Sequence, residues 1–184
     1  AMRAFKIGIR RETKNRWECR APLTPTNVQY LRQKQPGKVD FVVQPCTRRV
    51  FTNEQYADVG AQICEDLSSC DLIMGVKEVP IKDLIANKQF LFFSHTHKGQ
   101  SYNMPLLRSI CDQKITLLDY ELLKDEAGRR LVAFGAFAGF AGMINCLHGL
   151  GDRLLTIGYR TPFLVHIMYT DACRIFHCRT TMLH

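Results

Sequence analysis

The chain has 184 residues, which suits one ordinary domain with a hydrophobic core plus an appendage and is too short for two full-sized domains. Apolar residues make up 46% and charged residues 23%, a composition that excludes an intrinsically disordered chain and is typical of a soluble globular protein. The net charge of +8 is spread from Arg3 to Arg179 without an aromatic-interleaved stripe, so it argues against nucleic acid and fits an electropositive cleft for an anionic substrate.

The eight cysteines have irregular spacings, and several lie inside apolar runs. Because nothing at the start resembles a secretory signal, a reduced intracellular compartment is expected. Cys173 and Cys178, with His166 and His177 nearby, match no common zinc spacing, so no metal site is predicted.

The first half of the chain alternates between predicted strands and predicted helices. Each helix starts at a Thr that can accept a hydrogen bond from the first turn: Thr24 precedes Pro25, and Thr52 forms a capping box with Gln55. Apolar runs bounded by turn residues indicate the strands. The predicted elements are a strand over Phe5 to Arg10, a helix from Thr24 to Pro36-Gly37, a strand over Val39 to Val43 and a helix from Thr52 to about Gly60.

The second half continues the same alternation, which requires crossover connections and therefore predicts a mostly parallel α/β sheet. The Glu-Ala-Gly sequence at 126–128 predicts a hairpin turn. The predicted elements are a strand over Asp71 to Val76, a short helix after Pro80, a strand over Gln89 to Ser94, a helix after Pro105 and a strand over Ile115 to Leu118.

An uncharged stretch of 21 residues runs from Leu131 to Gly151, with Gly135 and Gly139 four apart. Its length and small-residue spacing are those of a membrane span, so a membrane anchor is one interpretation. Five glycines, Asn145 and His148 argue against it. A buried apolar helix packed closely between layers needs the same small residues, and we favour that interpretation.

Two strand-like runs end in ionisable side chains: Lys77 follows DLIMGV, and His95 follows QFLFFS. The carboxyl ends of parallel strands share one edge of a sheet, where ligands collect, so both side chains should face one crevice. A Lys and a His placed together indicate proton-transfer chemistry, because a neighbouring cation and partial burial lower the pKa of a lysine toward neutrality. His97 lies further into the loop and remains the alternative to His95.

Five more residues are candidates for binding or for tuning the pair. Arg20 falls just before the Thr24 helix start, where a guanidinium and helix amides can hold a carboxylate together. Arg129 and Arg130 offer a second anion site, and one of them should point outward if the segment is extended. Glu78 and Glu121 can tune protonation, although solvated loop charges are the equally good alternative.

Several motifs in fixed order carry a resemblance to a known family. They are IGIRRETKNRWECRAPLTP, IMGVKEVP, FFSHTHK, LLDYELL, GRRLVAFG and AGFAGMINCLHGLG. Over about residues 5–164 the chain resembles the lysine-ketoglutarate reductase region of the alpha-aminoadipic semialdehyde synthases. It is similar, more distantly, to fungal saccharopine dehydrogenases and to the amino-terminal domain of alanine dehydrogenase and proton-translocating transhydrogenase.

The resemblance implies a fold, a reaction and site roles. The fold is an α/β, flavodoxin-like or Rossmann-like sheet with helices on both faces, followed by the buried apolar helix. The reaction joins L-lysine to 2-oxoglutarate and reduces the imine with NADPH to saccharopine. Lys77 and His95 are then the acid–base pair, while Arg20 and Arg130 bind substrate carboxylates and Glu78 and Glu121 modulate the local charge.

The chain departs from the family pattern toward its end. Family members continue into a dinucleotide-binding domain with a glycine-rich turn, whereas HGLGDRLL has two glycines after a predicted helix. Residues 1–134 are therefore expected to form the amino-terminal substrate domain, residues 135–164 an interdomain helix and the start of a missing cofactor domain, and residues 165–184 a tail outside the family pattern.

The resulting hypothesis is an incomplete enzyme of lysine degradation, inactive alone, because the nicotinamide carries the redox chemistry. A non-catalytic binding or assembly module derived from that enzyme is the alternative, and self-association into a homo-oligomer through the helix would favour it. The resemblance implies a mitochondrial location, with the cytoplasm as alternative.

Overall fold

A computed structural model of the chain describes residues 3–163, and a six-stranded sheet organises most of them. All neighbouring strands pair in parallel, in the order β3-β2-β1-β4-β5-β6. This is the strand order of a Rossmann-type sheet, the second of the two related arrangements expected from the sequence. The strands are β1 (Phe5–Ile9), β2 (Val39–Val43), β3 (Gln62–Ile63), β4 (Leu72–Met74), β5 (Gln89–Phe92) and β6 (Thr116–Asp119).

Helices connect most of the strands, and single 3-10 turns lie at Ile81–Asp83, Ser101–Asn103 and Tyr120–Leu122. The predicted Thr24 cap and the predicted capping box at Thr52 are present: the hydroxyls of Thr24 and Thr52 accept hydrogen bonds from the backbone of Asn27 and Gln55. The α-helices are α1 (Pro25–Lys34), α2 (Asn53–Asp58), α3 (Met104–Asp112) and α4 (Ala136–Thr156).

Two hydrophobic clusters cover the two faces of the sheet. Consecutive residues of β2 alternate between them, because successive side chains of a strand point to opposite faces. Phe41 and Val43 pack with Val28 of α1 and Tyr56 of α2. Val42 belongs to the other cluster, with Phe90, Phe92 and the α3 residues Leu106 and Ile110 at its centre. Burial on both faces is what a parallel sheet with crossover helices requires.

The predicted strands are confirmed, with trimmed ends. The predicted hairpin is also present, since Lys124 and Arg130 form an antiparallel bridge around the Glu-Ala-Gly turn. The sequence did not predict β3, whose two residues are too few to show a periodic pattern.

The chain divides into two units between Val132 and Ala133, and α4 lies in the second. The helix is present as predicted, and Gly151 is its buried position among the described residues. Its expected burial between layers stays a prediction. Phe140 and Met143 are each 62% exposed. Among residues 3–163, no helix combines the length and apolarity needed to cross a bilayer. The predicted tail over residues 165–184 lies outside the described part of the chain.

Candidate active site

Lys77 and His95 follow adjacent parallel strands at the same edge of the sheet. Backbone hydrogen bonds hold the two strand ends together: the Phe93 amide donates one of 3.1 Å to the Val76 carbonyl. The Gly75 amide likewise donates to the Leu91 carbonyl at 3.0 Å. The predicted juxtaposition of the two segments is therefore present, on neighbouring turns at the carboxyl edge.

The turn that carries His95 is fixed by buried polar groups. Asp119, at the end of β6, accepts hydrogen bonds from the Ser94 amide at 3.2 Å and from the Ser94 hydroxyl. The Ser94 hydroxyl also lies 2.7 Å from that of Thr96, and Asn103 donates to the Ser94 carbonyl at 3.0 Å. These contacts hold His95 at a φ of +51°, in the left-handed region that non-glycine residues seldom adopt.

The Glu121 carboxylate contacts four basic side chains in the candidate site. Its Oε2 atom lies 3.6 Å from Nδ1 of His95 and 3.3 Å from Nδ1 of His97. Its Oε1 atom lies 3.2 Å from the Lys98 ammonium and 3.7 Å from the Arg130 guanidinium. Because one carboxylate contacts both histidines, the structure does not separate His95 from His97 by proximity to Glu121.

The charge around Glu121 decides its protonation. Burial raises the pKa of its carboxyl, but the hydrogen bond and charge of Lys98, followed by the charges of His97 and Arg130, outweigh burial and lower the pKa below its ordinary value. Glu121 is therefore an anion at neutral pH, with more basic side chains around it than one carboxylate can neutralise.

A second buried carboxylate, Glu12, positions the Lys77 backbone. Its Oε1 atom accepts a hydrogen bond of 2.7 Å from the Val76 amide, and its Oε2 atom accepts one of 3.1 Å from the Lys77 amide. Burial raises the pKa of the Glu12 carboxyl, and the Val76 hydrogen bond and the Arg10 charge offset only part of that effect. Because Glu12 follows β1, these hydrogen bonds connect the end of β1 to the turn after β4.

Arg20 forms a buried pair with Glu18. The Glu18 carboxylate accepts hydrogen bonds of 2.7 Å from Nε and 2.6 Å from Nη2 of Arg20, and it is 2% exposed. Burial alone raises the pKa of Glu18, yet the Arg20 hydrogen bonds and charge, with a smaller contribution from Lys77, hold that pKa below its ordinary value.

Aromatic rings lie between the two groups of charges. Phe93 stacks on the His95 ring with centroids 6.2 Å apart and contacts the Tyr120 ring at 5.1 Å. Burial raises the pKa of Tyr120 well above its ordinary value, with a further contribution from the Glu12 charge. The Tyr120 hydroxyl is shielded from solvent and has no hydrogen-bond partner among residues 3–163.

The predicted site residues separate into three groups. His95, Glu121 and Arg130 are in one cluster of ionic contacts, whereas Arg129 pairs with Asp125 and is largely exposed, as expected for one arginine of an extended pair. Arg20 is paired with Glu18, and the Lys77 backbone is bonded to Glu12. Glu78 is buried and pairs with Lys14 at 3.6 Å.

Sequence reasoning missed the buried carboxylates Glu12, Glu18 and Asp119. The first two lie in the charged segment RRETKNRWECR, which has the composition of a solvated loop. Two sequence positions could have identified them: Glu12 follows β1, and Glu18 lies two residues before Arg20. Asp119 ends β6 at the same edge as Lys77 and His95, so strand position alone could have identified it.

The described residues do not form the glycine-rich turn that binds the phosphates of a nicotinamide dinucleotide. The turn after β1 carries Arg10, Arg11 and Glu12 where a phosphate cradle needs glycines, and Gly149 and Gly151 of HGLGDRLL lie inside α4. Residues 3–163 also contain no cluster of three or more metal-ligating side chains suited to an ion.

Comparison with known proteins gives a consistent result. The family model described as "Alanine dehydrogenase/PNT, N-terminal domain" matches residues 8–141. Alpha-aminoadipic semialdehyde synthase of Arabidopsis thaliana is 47% identical over 161 residues, which are 86% of this chain and 15% of the relative. The mitochondrial protein of the same name from Rattus norvegicus is 46% identical over 158 residues, or 86% of this chain and 17% of the relative.

A fungal relative is more distant. Saccharopine dehydrogenase [NAD(+), L-lysine-forming] of Emericella nidulans is 35% identical over 147 residues, 77% of this chain and 38% of the relative. The chain therefore spans less than half of each of these relatives.

Proposed function

The chain belongs to the alanine dehydrogenase/PNT N-terminal domain family, and from that premise we propose that it is the substrate-binding and acid–base part of a saccharopine-forming reductase of lysine degradation. The substrates in this proposal are L-lysine and 2-oxoglutarate, and the cofactor of the complete reaction is NADPH. The proposed compartment is the mitochondrion, in line with the names of the mammalian relatives, and the cytoplasm is the alternative.

One observation carries the proposal: Lys77 and His95 follow adjacent parallel strands, and each has a buried carboxylate close to it. His95 lies 3.6 Å from Glu121, and Oε2 of Glu12 accepts a hydrogen bond of 3.1 Å from the Lys77 amide. Proton transfer during imine formation needs a base and an acid at one site, and two titratable side chains beside buried carboxylates can supply both. We assign Lys77 and His95 to these roles.

The remaining assignments concern binding and charge. Arg20 and Arg130 bind substrate carboxylates, because guanidinium groups can form paired hydrogen bonds with them. The pair with Glu18 fixes the orientation of the Arg20 guanidinium before a ligand arrives. Glu121 maintains the charge balance of the histidine cluster, and Glu78 does so beside Lys77. Hydride transfer is the chemistry of the nicotinamide, for which the described residues provide no cradle.

The first experiment is isothermal titration of the chain with saccharopine, with adjacent arginines as test and control. Arg130→Gln should weaken binding about tenfold, the effect of losing one charged hydrogen-bonding partner. Arg129→Gln should leave the affinity within about twofold, because Arg129 pairs with Asp125 and is largely exposed. Equal effects of the two substitutions, or no saccharopine binding by the unmodified chain, would contradict the proposal.

The same titration in two buffers of different ionisation enthalpy tests the acid–base pair without requiring turnover. If Lys77 and His95 exchange protons as the ligand binds, the binding enthalpy depends on the buffer. Lys77→Met and His95→Asn should each reduce that dependence. Asn is chosen because it tolerates the left-handed backbone at this position. A buffer dependence unchanged in both variants would exclude the assigned roles.

A non-catalytic assembly module is the second candidate function. It is favoured by the exposed apolar side chains of α4, which include Phe140, Met143, Leu150 and Leu155. Exposed apolar residues gathered on one helix are typical of protein–protein contact surfaces.

A further inference from the structure

A cavity of about 640 Å³ lies at the carboxyl edge of the sheet, and none of the residues assigned to the proposed substrate site lines it. Its lining residues follow β1, β2, β3 and β4. Strand order reverses next to β1, since β2 and β4 lie on its two sides. Open α/β sheets bind ligands at such a switch point, and the volume is within the range of small-molecule sites.

Arg10 is a buried cation in the wall of this cavity. The residue is 5% exposed. Its Nη2 atom donates to the Thr13 hydroxyl at 3.0 Å and to the Asp83 carboxylate at a long 3.3 Å. Its Nη1 atom is shielded from solvent and has no hydrogen-bond partner among residues 3–163. A buried donor without an acceptor costs free energy, so the Arg10 guanidinium is incompletely satisfied.

The other charges around the cavity are largely accounted for by local pairs. Glu65 accepts a hydrogen bond of 2.7 Å from Nη1 of Arg11. Asp66 accepts hydrogen bonds of 2.8 Å from the Ser68 amide and 2.7 Å from the Ser68 hydroxyl. Lys82, by contrast, is exposed and forms no ion pair with the residues that the structure describes. After these pairings, Nη1 of Arg10 remains a donor without an acceptor, and Lys82 remains a charge without an ion pair, among the described residues.

We propose that this cavity is a second ligand site, which binds a small metabolite through an oxyanion group, either a carboxylate or a phosphate. The Arg10 guanidinium receives one anionic oxygen, and Lys82 supplies the second positive charge at the entrance. Guanidinium and ammonium groups bind both kinds of oxyanion, and both are more strongly bound where water is partly excluded. Asp83 competes for the same guanidinium and limits the affinity.

Two neighbouring substitutions with opposite expected effects test the site. Inorganic phosphate and succinate are titrated separately at low ionic strength, and the tighter binder identifies the preferred oxyanion. Lys82→Gln should weaken binding about fivefold, the size expected for one exposed charge pair. Asp83→Asn should strengthen binding about threefold, because it removes the competing carboxylate and leaves the Arg10 charge in place. Neither substitution removes a buried side chain, so both variants should fold.

Control variants distinguish specific anion binding in the cavity from nonspecific attraction of anions to a basic protein. Lys38→Gln makes the same charge change before β2, at the opposite edge of the sheet, and should leave both affinities unchanged. Arg129→Gln should also leave them unchanged, because Arg129 pairs with Asp125 and does not line the cavity. No binding of either anion, equal weakening by Lys82→Gln and Lys38→Gln, or weakening by Asp83→Asn would overturn the proposal.

Discussion

Two buried carboxylates near Lys77 respond to burial in opposite ways. Glu12 has backbone amides as its direct partners, and burial raises its pKa. Glu18 has the Arg20 guanidinium, and its pKa is lowered despite burial. The difference follows from the partner, because a full positive charge compensates a buried anion better than amide dipoles do. Glu18 therefore stabilises the folded chain as an anion, whereas ionisation of Glu12 costs stability.

Glu18→Gln should lower the free energy of unfolding by about 3 kcal/mol at pH 7, because it leaves Arg20 without its buried counter-charge. The loss should shrink in acid. A carboxyl whose folded pKa is lowered contributes stability above its unfolded pKa, near its ordinary value of 4.5, and that contribution disappears as the pH falls through the folded pKa. Urea unfolding of the two proteins at pH 7 and about pH 3 measures both effects.

The control is Glu126→Gln in the exposed hairpin turn, which changes the same charge without breaking a buried pair. Its effect should stay within about 0.5 kcal/mol at both pH values. A Glu18→Gln deficit that is equally large in acid would mean that shape, and not charge, accounts for the loss.

The sequence identified the residues with candidate acid–base or binding roles better than the buried residues that hold them in place. Lys77 and His95 were predicted because parallel strands end at one edge, and the structure places both there. Glu121 and Arg130 were candidates for tuning protonation and for binding an anion, and the structure brings both into the ionic cluster of His95. Their roles stay predictions. Glu12 was missed because its contacts are to main-chain amides 64 and 65 residues away, which no local pattern encodes.

At the scale of elements, Asp119 joins the ends of β5 and β6. It accepts hydrogen bonds from the Ser94 amide, the Ser94 hydroxyl and, at 2.8 Å, the Glu121 amide. The turn with His95 and the turn with Glu121 are thus held by one buried side chain. The distance between the histidine and its carboxylate depends on this connection.

Asp119→Ala should therefore destabilise the chain by about 3 kcal/mol, since it leaves two buried amides without acceptors. It should also shift the NMR amide resonances of both turns together. Asp112→Ala is the matched control, because Asp112 is exposed at the end of α3 and its loss should be close to neutral. Shifts confined to one turn would show that Asp119 does not couple the two elements.

Elements with strong local signals were predicted best. Helix α1 was located by Thr24 and Pro25, and α2 by Thr52 and Gln55, because capping contacts are formed within four residues of sequence. The buried state expected for α4 stays a prediction. A run of small apolar residues specifies close packing but does not identify the surface against which it packs.

For the whole molecule, the apolar surface of α4 predicts self-association. Phe140, Met143 and Leu150 recur at three- and seven-residue intervals, so they line one side of the helix, and all are exposed. We expect the apparent mass of the chain in analytical ultracentrifugation to rise with concentration. The double substitution Phe140→Ser and Met143→Ser should shift the distribution toward monomer.

Tyr102→Ser serves as the control, because Tyr102 is 67% exposed in the first unit of the chain and lies outside α4. It should leave the distribution unchanged. A single monomeric species at all concentrations would count against the assembly-module alternative and leave the substrate-domain proposal unaffected.

The position of β1 has a consequence for the order in which the chain folds during synthesis. Of the six strands, β1 is synthesised before the others but lies inside the sheet, paired on one side with β2 and on the other with β4. Its second partner emerges from the ribosome only after Met74 has been added, and until then one edge of β1 is open to foreign strands. Since every neighbouring pair is parallel and non-local, slow translation of residues 10–74 would prolong the interval in which the nascent chain needs protection by chaperones.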